Sequence, residues 1–427
     1  MKTFQRVTGT NDLFPEDIKK FNYVTKIFED VCRAFDYHEY ETPTFEYTSV
    51  FQRGIGETTD IVNKEMFTFA PREDSGEKDT ITLKPEGTAG FVRLYIQNGL
   101  NSTKPPQKIF YNTPCYRNER NQKGRFKEFH QFGVEALSSN SPTIDAEVIM
   151  IAYRFFERLG IADKVELEIN SVGSFESRKL YNDKLREFLR PNFAHLCPTC
   201  QERFEKNPLR ILDCKEDSCK KITTDAPLMI DNLFEEEVAH FEKVKELLTS
   251  AGVKFKVNPL IVRGLDYYTK TAFEFISKDI GAQATVCGGG RYDGLVQELG
   301  GPEVSGIGFG LGQERLIMTL EELNKFPAFE QDYDLYIATL GDKADTTAFK
   351  IIDALRQKDV VCDQDHMKKS LKAQMRYAND KNAKYTLLLG DNEIETGKAA
   401  LKNMENSEQT EVNIDTFVEE FLKIIGK

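Results

Sequence analysis

The sequence predicts an α+β domain built on a mainly antiparallel sheet and carrying a helical insertion, followed by a separate α/β domain. Length is the first reason: 427 residues exceed the roughly 250–300 that one hydrophobic core serves, so two or more domains are expected. Second, period-two patterns run from about residue 40 to residue 136 and return at 260–312, on either side of a helix-patterned stretch at about 174–255. Third, strand and helix patterns alternate after residue 332, the order of a small α/β unit with a mostly parallel sheet. The expected division is 1–325 with its insertion, a linker at 326–332, and 333–427.

Within the first domain, residues 16–35 place Phe21, Val24, Ile27, Phe28, Val31 and Phe35 three and four apart, the spacing of an amphipathic helix. Pro43 biases Thr42 toward extended geometry, so residues 40–45 read as an edge segment. The runs 80–84 and 108–112 alternate as strands, with turns such as Asn98-Gly99 between them. A second helix is expected at 145–159 and a strand at 165–170. The last domain reads as strand 334–339, helix 344–357, strand 360–362, helix 368–379, strand 385–390 and a helix from about 416.

Hydrophobic residues make up 40% and charged residues 30%, which supports packed cores and excludes a disordered chain. The net charge of -12 repels nucleic acid in general, so an RNA partner has to be held by local basic patches. No stretch approaches the ~18 uninterrupted apolar residues that cross a bilayer. Residues 1–6 lead into polar sequence without an apolar signal region, so a cytoplasmic protein with no membrane partner is expected. Eight cysteines are too sparse for a disulfide scaffold.

Four segments carry chemistry. Residues 116–127, Tyr-Arg-Asn-Glu-Arg-Asn-Gln-Lys-Gly-Arg-Phe-Lys, hold five basic residues and one acid between two strand patterns, so a hairpin loop projects concentrated positive charge. In the strand that follows, Gln131 and Glu135 share a face, an amide and a carboxylate placed for ligand recognition. In Leu83-Lys84-Pro85-Glu86-Gly87-Thr88, a carboxylate and a hydroxyl flank a glycine and suit one cation; a strand-to-helix turn capped by Thr88 is the competing reading. Arg263-Gly264-Leu265-Asp266-Tyr267-Tyr268 sets a planar donor and two phenols near exposed backbone, as an anion site requires. Finally, ten of the 28 glycines lie at 288–312, and Gly306-Ile307-Gly308-Phe309-Gly310-Leu311-Gly312 predicts a strand with one bare face, ending at Arg315, where a phosphate is expected. The spacing is neither a Walker loop nor a dinucleotide fingerprint.

Tyr116-Arg117-Asn118-Glu119 resembles motif 2 of class II aminoacyl-tRNA synthetases, and residues 308–315 resemble their motif 3. Residues 263–268 and Gly289-Gly290-Arg291-Tyr292-Asp293-Gly294 resemble the two signatures of the histidyl-tRNA synthetase family, and the likeness extends along the whole chain. The resemblance implies the class II synthetase fold, ATP as substrate with Mg2+ on its phosphates, L-histidine, a histidine tRNA, and a homodimer through the motif 1 helix and the Pro43 strand. It implies that Arg117 and Arg263 are catalytic, flanking the α-phosphate, and that Arg117, Glu119 and Arg315 bind ATP. Histidine is implied to lie among Glu86, Gly87, Thr88, Arg117, Gln131, Glu135, Arg263, Tyr267 and Tyr268, with Glu135 and Tyr268 gripping the imidazole nitrogens. Arg120, Gln122, Lys123 and Arg125 are implied to meet the tRNA acceptor end. Asn121 departs from the proline common at its position, and Tyr116 from phenylalanine.

Cys197-Pro198-Thr199-Cys200, then Cys214 and Cys219, has the spacing of a zinc knuckle in its first pair; structural zinc and four reduced thiols both stand as readings. Two functions follow from the resemblance. One is a histidine–tRNA ligase; the other is a silent, histidine-sensing relative of the kind that regulates ATP phosphoribosyltransferase. Such relatives typically lack the C-terminal domain and parts of the motifs retained here, so the ligase is expected.

Overall fold

The computed structural model describes residues 3–427 except 57–58, 60, 72–78, 120–123, 213, 262–266, 278–284 and 330–332. The chain forms two compact units, Met1–Phe326 and Pro327–Lys427.

The first unit is built on eight strands in the order His38–Glu39, Gln107–Tyr116, Glu128–Leu137, Gly306–Gly312, Thr285–Arg291, Thr269–Ser277, Val165–Ser171 and Lys256–Val257. Only the outermost pair at each edge is parallel, so the sheet is mainly antiparallel as predicted. Its longest hairpin, Gln107–Tyr116/Glu128–Leu137, second and third in that order, has a register that sets Tyr111 opposite Gly133 and Ile109 opposite Glu135. Helices Pro15–Ala34 and Pro142–Arg158 pack on it. The first starts cleanly because Pro15 needs no amide partner and the Asp17 carboxylate accepts the Phe14 N–H at 3.0 Å. Its apolar stripe buries Val24, Phe28 and Val31, and Phe28 stacks on Phe132 with ring centroids 4.3 Å apart. Each such side chain contributes roughly 1.5–3 kcal/mol on burial.

A second, three-stranded antiparallel sheet, Phe45–Tyr47, Ile81–Leu83 and Thr68–Phe69, feeds the chain into the Thr88–Gln97 helix. The helices Phe175–Leu189, Pro198–Lys206 and Asp217–Thr223 enclose a small core of their own around Tyr181, Leu185, Cys200, Ile211 and Cys219. The next helix, Glu235–Ser250, places Phe241, Val244 and Leu248 in the main core instead.

The second unit has strand order Cys362–Gln364, Leu335–Thr339, Tyr385–Leu389, Lys398–Asn403 and Gln409–Asn413. The first three are parallel, but the last two continue antiparallel, so the expectation of a mostly parallel sheet covers only part of it. The hairpin escaped sequence reasoning because its strands are rich in Lys, Ala, Asn, Gln and Glu and bury only alternate residues such as Ala399, Leu401 and Val412. Among the described residues no helix is long and apolar enough to cross a membrane.

Candidate active site

A cavity of about 440 Å3 opens in the first unit, lined from the Glu128–Leu137, Thr269–Ser277, Thr285–Arg291 and Gly306–Gly312 strands among others. Its floor begins at the N-terminus of the Thr88–Gln97 helix, where the Glu86 carboxylate accepts the Thr88 N–H at 2.7 Å and the Ala89 N–H at 2.9 Å. Glu86, not Thr88, therefore caps this helix. Burial raises its pKa against these bonds and the nearby Arg117. The Thr88 hydroxyl instead donates to Glu135 at 2.8 Å. The Gly87 N–H donates to the Gln131 side-chain carbonyl at 2.9 Å, which joins helix start and hairpin.

Glu135 lies behind the cavity surface, fully buried, and also accepts from Tyr111 at 3.0 Å and Tyr292 at 2.5 Å. Burial pushes its carboxyl up to about 8 although these hydroxyls favour the charged form. Tyr111 reaches it through a slot between two glycines: a Cβ on Gly87 or Gly133 would come within 2.5 or 2.0 Å of the Tyr111 ring. Neither tyrosine was singled out as a site residue from the sequence. The available signal was the hairpin register, which pairs Tyr111 with Gly133 two residues from Glu135 on the same face.

Arginines line the same cavity. Arg117, at the end of its strand, donates from Nε to the Pro85 carbonyl at 2.8 Å, lies over the Phe129 ring at 5.3 Å, and stands 3.6 Å from Glu119. Arg125 meets the other Glu119 oxygen at 2.7 Å. Arg315 donates to the backbone carbonyls of Gly124 at 3.2 Å and Thr285 at 3.0 Å. Burial, with Arg125 and Arg117 close by, lowers its pKa from the usual guanidinium value. Beside it Glu314 accepts from the His130 backbone N–H and contacts His130 Nδ1 at 2.9 Å; that hydrogen bond raises the His130 pKa.

The glycine strand behaves only partly as expected. Gly310 and Gly312 line the cavity, but the bare face mostly seats protein: a Cβ on Gly308 would lie 1.9 Å from the Glu135 carboxylate, and one on Gly310 2.3 Å from the Gln131 amide. Buried Tyr267 and Tyr268, 4.6 Å apart between ring centroids, also face the cavity. Arg210, Glu65 and Glu274 line it without having been anticipated. Arg120, Gln122, Lys123 and Arg263, with Asn121, lie outside the described residues. Arg291 is a structural residue: fully buried, it pairs with Asp145 and donates to the Ser139 carbonyl at 2.8 Å. The four cysteines gather in the helical segment, their Sγ atoms all within 4.8 Å of one another.

An antiparallel sheet with an arginine-lined cavity, in a chain with a C-terminal α/β unit, matches the architecture of an aminoacyl-tRNA synthetase. Residues 9–316 match the family model described as histidyl-tRNA synthetase, and residues 334–424 match that of the anticodon binding domain. The chain is 52% identical over 415 residues to a histidine–tRNA ligase of Acetivibrio thermocellus, spanning 97% of this chain and 98% of that one. It is 50% identical to the histidine–tRNA ligase of Clostridioides difficile, over 96% and 97% of the two chains. The crystal structure of apo S. aureus histidyl-tRNA synthetase superposes with a TM-score of 0.83 at 38% identity, covering 98% of this chain and 100% of that one. The chain belongs to the histidyl-tRNA synthetase family. Its reaction is the ATP-driven ligation of histidine to tRNA, a reading these relatives favour over the histidine-sensing one.

Proposed function

We propose that the cavity performs both half-reactions with the residues just described, together with Arg263 and the 120–123 segment that the family resemblance implies. A histidine carboxylate oxygen attacks the α-phosphorus of ATP, pyrophosphate leaves, and the 3′-terminal adenosine hydroxyl of the tRNA then takes the histidyl group as AMP departs. Two anions meet in the first step, so catalysis is positioning and charge stabilisation, with no covalent protein intermediate. Arg117 and Arg263 flank the α-phosphate, Arg315 takes the γ-phosphate end, and Glu119 the adenine edge. The observation that carries this reading is that Arg117, Arg125 and Arg315 line one cavity together with Glu86, Thr88 and Gln131.

Glu86, Gly87 and Thr88 receive the α-ammonium, with Gln131 beside it. Glu135 and Tyr268 read the two imidazole nitrogens and Tyr267 closes the wall. Neutral imidazole has one donor and one acceptor, so an analogue lacking them leaves buried groups unpaired; such sites reject it by roughly 10⁴–10⁵. Glu65 and Glu274 line the same cavity and supply hard carboxylate oxygens that fit Mg2+. They would hold an ion that neutralises charge on the β- and γ-phosphates. Arg120, Gln122, Lys123 and Arg125 contact the acceptor end, and the protein acts as a cytoplasmic homodimer. A structural zinc on Cys197, Cys200, Cys214 and Cys219 belongs to the same reading.

Histidine-dependent ATP–pyrophosphate exchange tests it. The wild type should exchange, and Arg263→Ala and Glu135→Ala should each lose most of the rate. Histidine binding without exchange in the wild type would instead favour the sensor.

A further inference from the structure

The helical segment that holds the four cysteines also contributes one residue to the catalytic cavity. Cys197 precedes the Pro198–Lys206 helix and Cys200 lies in its first turn; Cys214 precedes the Asp217–Thr223 helix, which carries Cys219. The Cys197 and Cys214 sulfurs stand 3.9 Å apart, against the roughly 3.8 Å edge of a tetrahedron with ~2.3 Å Zn–S bonds. That separation excludes a disulfide, whose sulfurs lie about 2.05 Å apart. The Cys197 backbone N–H points at the Cys219 sulfur at 3.3 Å, the kind of donor that supports a metal-bound thiolate. Cys200 and Cys219 are fully buried, while Cys197 and Cys214 are half-buried and leave an entry path. The core around these sulfurs is small, and cores of this size are commonly completed by a structural metal.

Between the second and third cysteines the chain makes a short 3-10 turn, Pro208–Ile211. Leu209 and Ile211 are buried in the cysteine-centred core, whereas Arg210 lines the cavity that holds Arg117, Arg125 and Arg315. Arg203 fixes the turn by donating to the Arg210 carbonyl at 3.3 Å. The position of Arg210 therefore depends on a loop tethered at both ends to the cysteine cluster.

Resting on the ligase reading, we propose that Cys197, Cys200, Cys214 and Cys219 bind one Zn2+ and that this ion seats Arg210 in the catalytic cavity as a further phosphate-binding residue. A tetrathiolate site is closed to substrate, so the ion supplies no Lewis-acid chemistry; it holds the loop. A guanidinium among other arginines in a partly desolvated cavity takes a phosphate oxygen, from the nucleotide or from the acceptor end of the tRNA.

The full-length protein, purified without chelator, should contain about one zinc per chain by elemental analysis. Its Co2+ form should show the intense absorption of tetrahedral thiolate coordination. Arg210→Ala should retain the zinc and the fold yet lose about 10- to 100-fold in kcat/KM, the effect of one lost charge-assisted bond, with Arg210→Lys recovering part. Cys214→Ser should lose zinc and activity together, and the double variant should be no worse than Cys214→Ser alone. Loss of pyrophosphate exchange assigns the phosphate to the nucleotide; loss of tRNA charging with exchange intact assigns it to the acceptor end. Zinc-free protein with full activity, an Arg210→Ala variant unimpaired in both steps, or multiplying effects in the double variant would overturn the proposal. The ligase reading fails separately, by a wild type that never exchanges, and the zinc content is measured without it.

Discussion

The protein pairs arginine with carboxylate in two ways. At the Arg291–Asp145 node both side chains are 0% exposed, and all three guanidinium nitrogens have an acceptor. Asp145 also accepts from Thr271 at 2.6 Å and contacts His240 Nε2 at 2.8 Å. Burial works to raise the Asp145 pKa, but His240 and Arg291 hold it below the usual carboxylate value. In the cavity wall, by contrast, Arg117 and Arg125 are 22% and 39% exposed and share a single carboxylate, Glu119. The first arrangement is saturated and has nothing left for a ligand. The second leaves guanidinium groups at a surface substrate can reach, where they can donate to phosphate oxygens. Saturation and access, rather than residue type, separate the structural arginine from the one proposed to act in catalysis.

The sharpest break of this contrast comes from the closed node. Asp145→Asn leaves a buried guanidinium with only the partly exposed Asp293, 3.2 Å away, as counter-charge, for which the expected loss is about 3–5 kcal/mol of folding stability, read as a lower urea midpoint. Arg117→Ala should do the reverse. Removing one donor from developing charge costs about 10²–10³-fold in exchange rate, roughly 2.7–4 kcal/mol, while the urea midpoint moves little. If Arg117→Ala unfolded the protein as readily as Asp145→Asn, the distinction between the two regions would collapse.

Gly308 tests the packing that lies between them. A methyl there would collide with the Glu135 carboxylate and with the Val134 carbonyl at 2.3 Å. Gly308→Ala should cost about 1–3 kcal/mol and raise the KM for histidine more than that for ATP, because it displaces Glu135 and not the arginines. Equal changes in both constants would place Glu135 outside histidine recognition.

Much of this was legible in the sequence where the signal is local. Alternation around the basic segment at 116–127 gave the hairpin strands, and the 3.6-residue period gave the Pro15–Ala34 and Pro142–Arg158 helices. What stayed hidden depends on partners distant in sequence. Arg291 sits among glycines beside Tyr292 and Asp293 in one signature, yet the fully buried carboxylate it pairs with is 146 residues away at Asp145. Tyr111 looks like an ordinary core aromatic until the register places Gly133 opposite it. Arg210 lies in a loop with no catalytic pattern, and its direction is set by the burial of Leu209 and Ile211 on either side.

Glu135 belongs to neither kind of pairing, and the smallest expected effect concerns it. Its neighbours are hydroxyls rather than cations, so burial decides its charge, and its carboxyl titrates at about 8 in the folded chain against 4.5 ordinarily. The folded state then holds a proton that the unfolded state releases. The stability this provides is complete below pH 4.5 and is lost as pH rises through 8. Between pH 7 and 8.5 the wild type should lose about 1 kcal/mol that Glu135→Gln does not, since the amide keeps the hydroxyl contacts without a charge. Urea midpoints of the two proteins across that range measure the difference. Parallel curves would mean that Glu135 is already a carboxylate at neutral pH, held by Tyr111, Tyr292 and Thr88 as firmly as Arg291 holds Asp145.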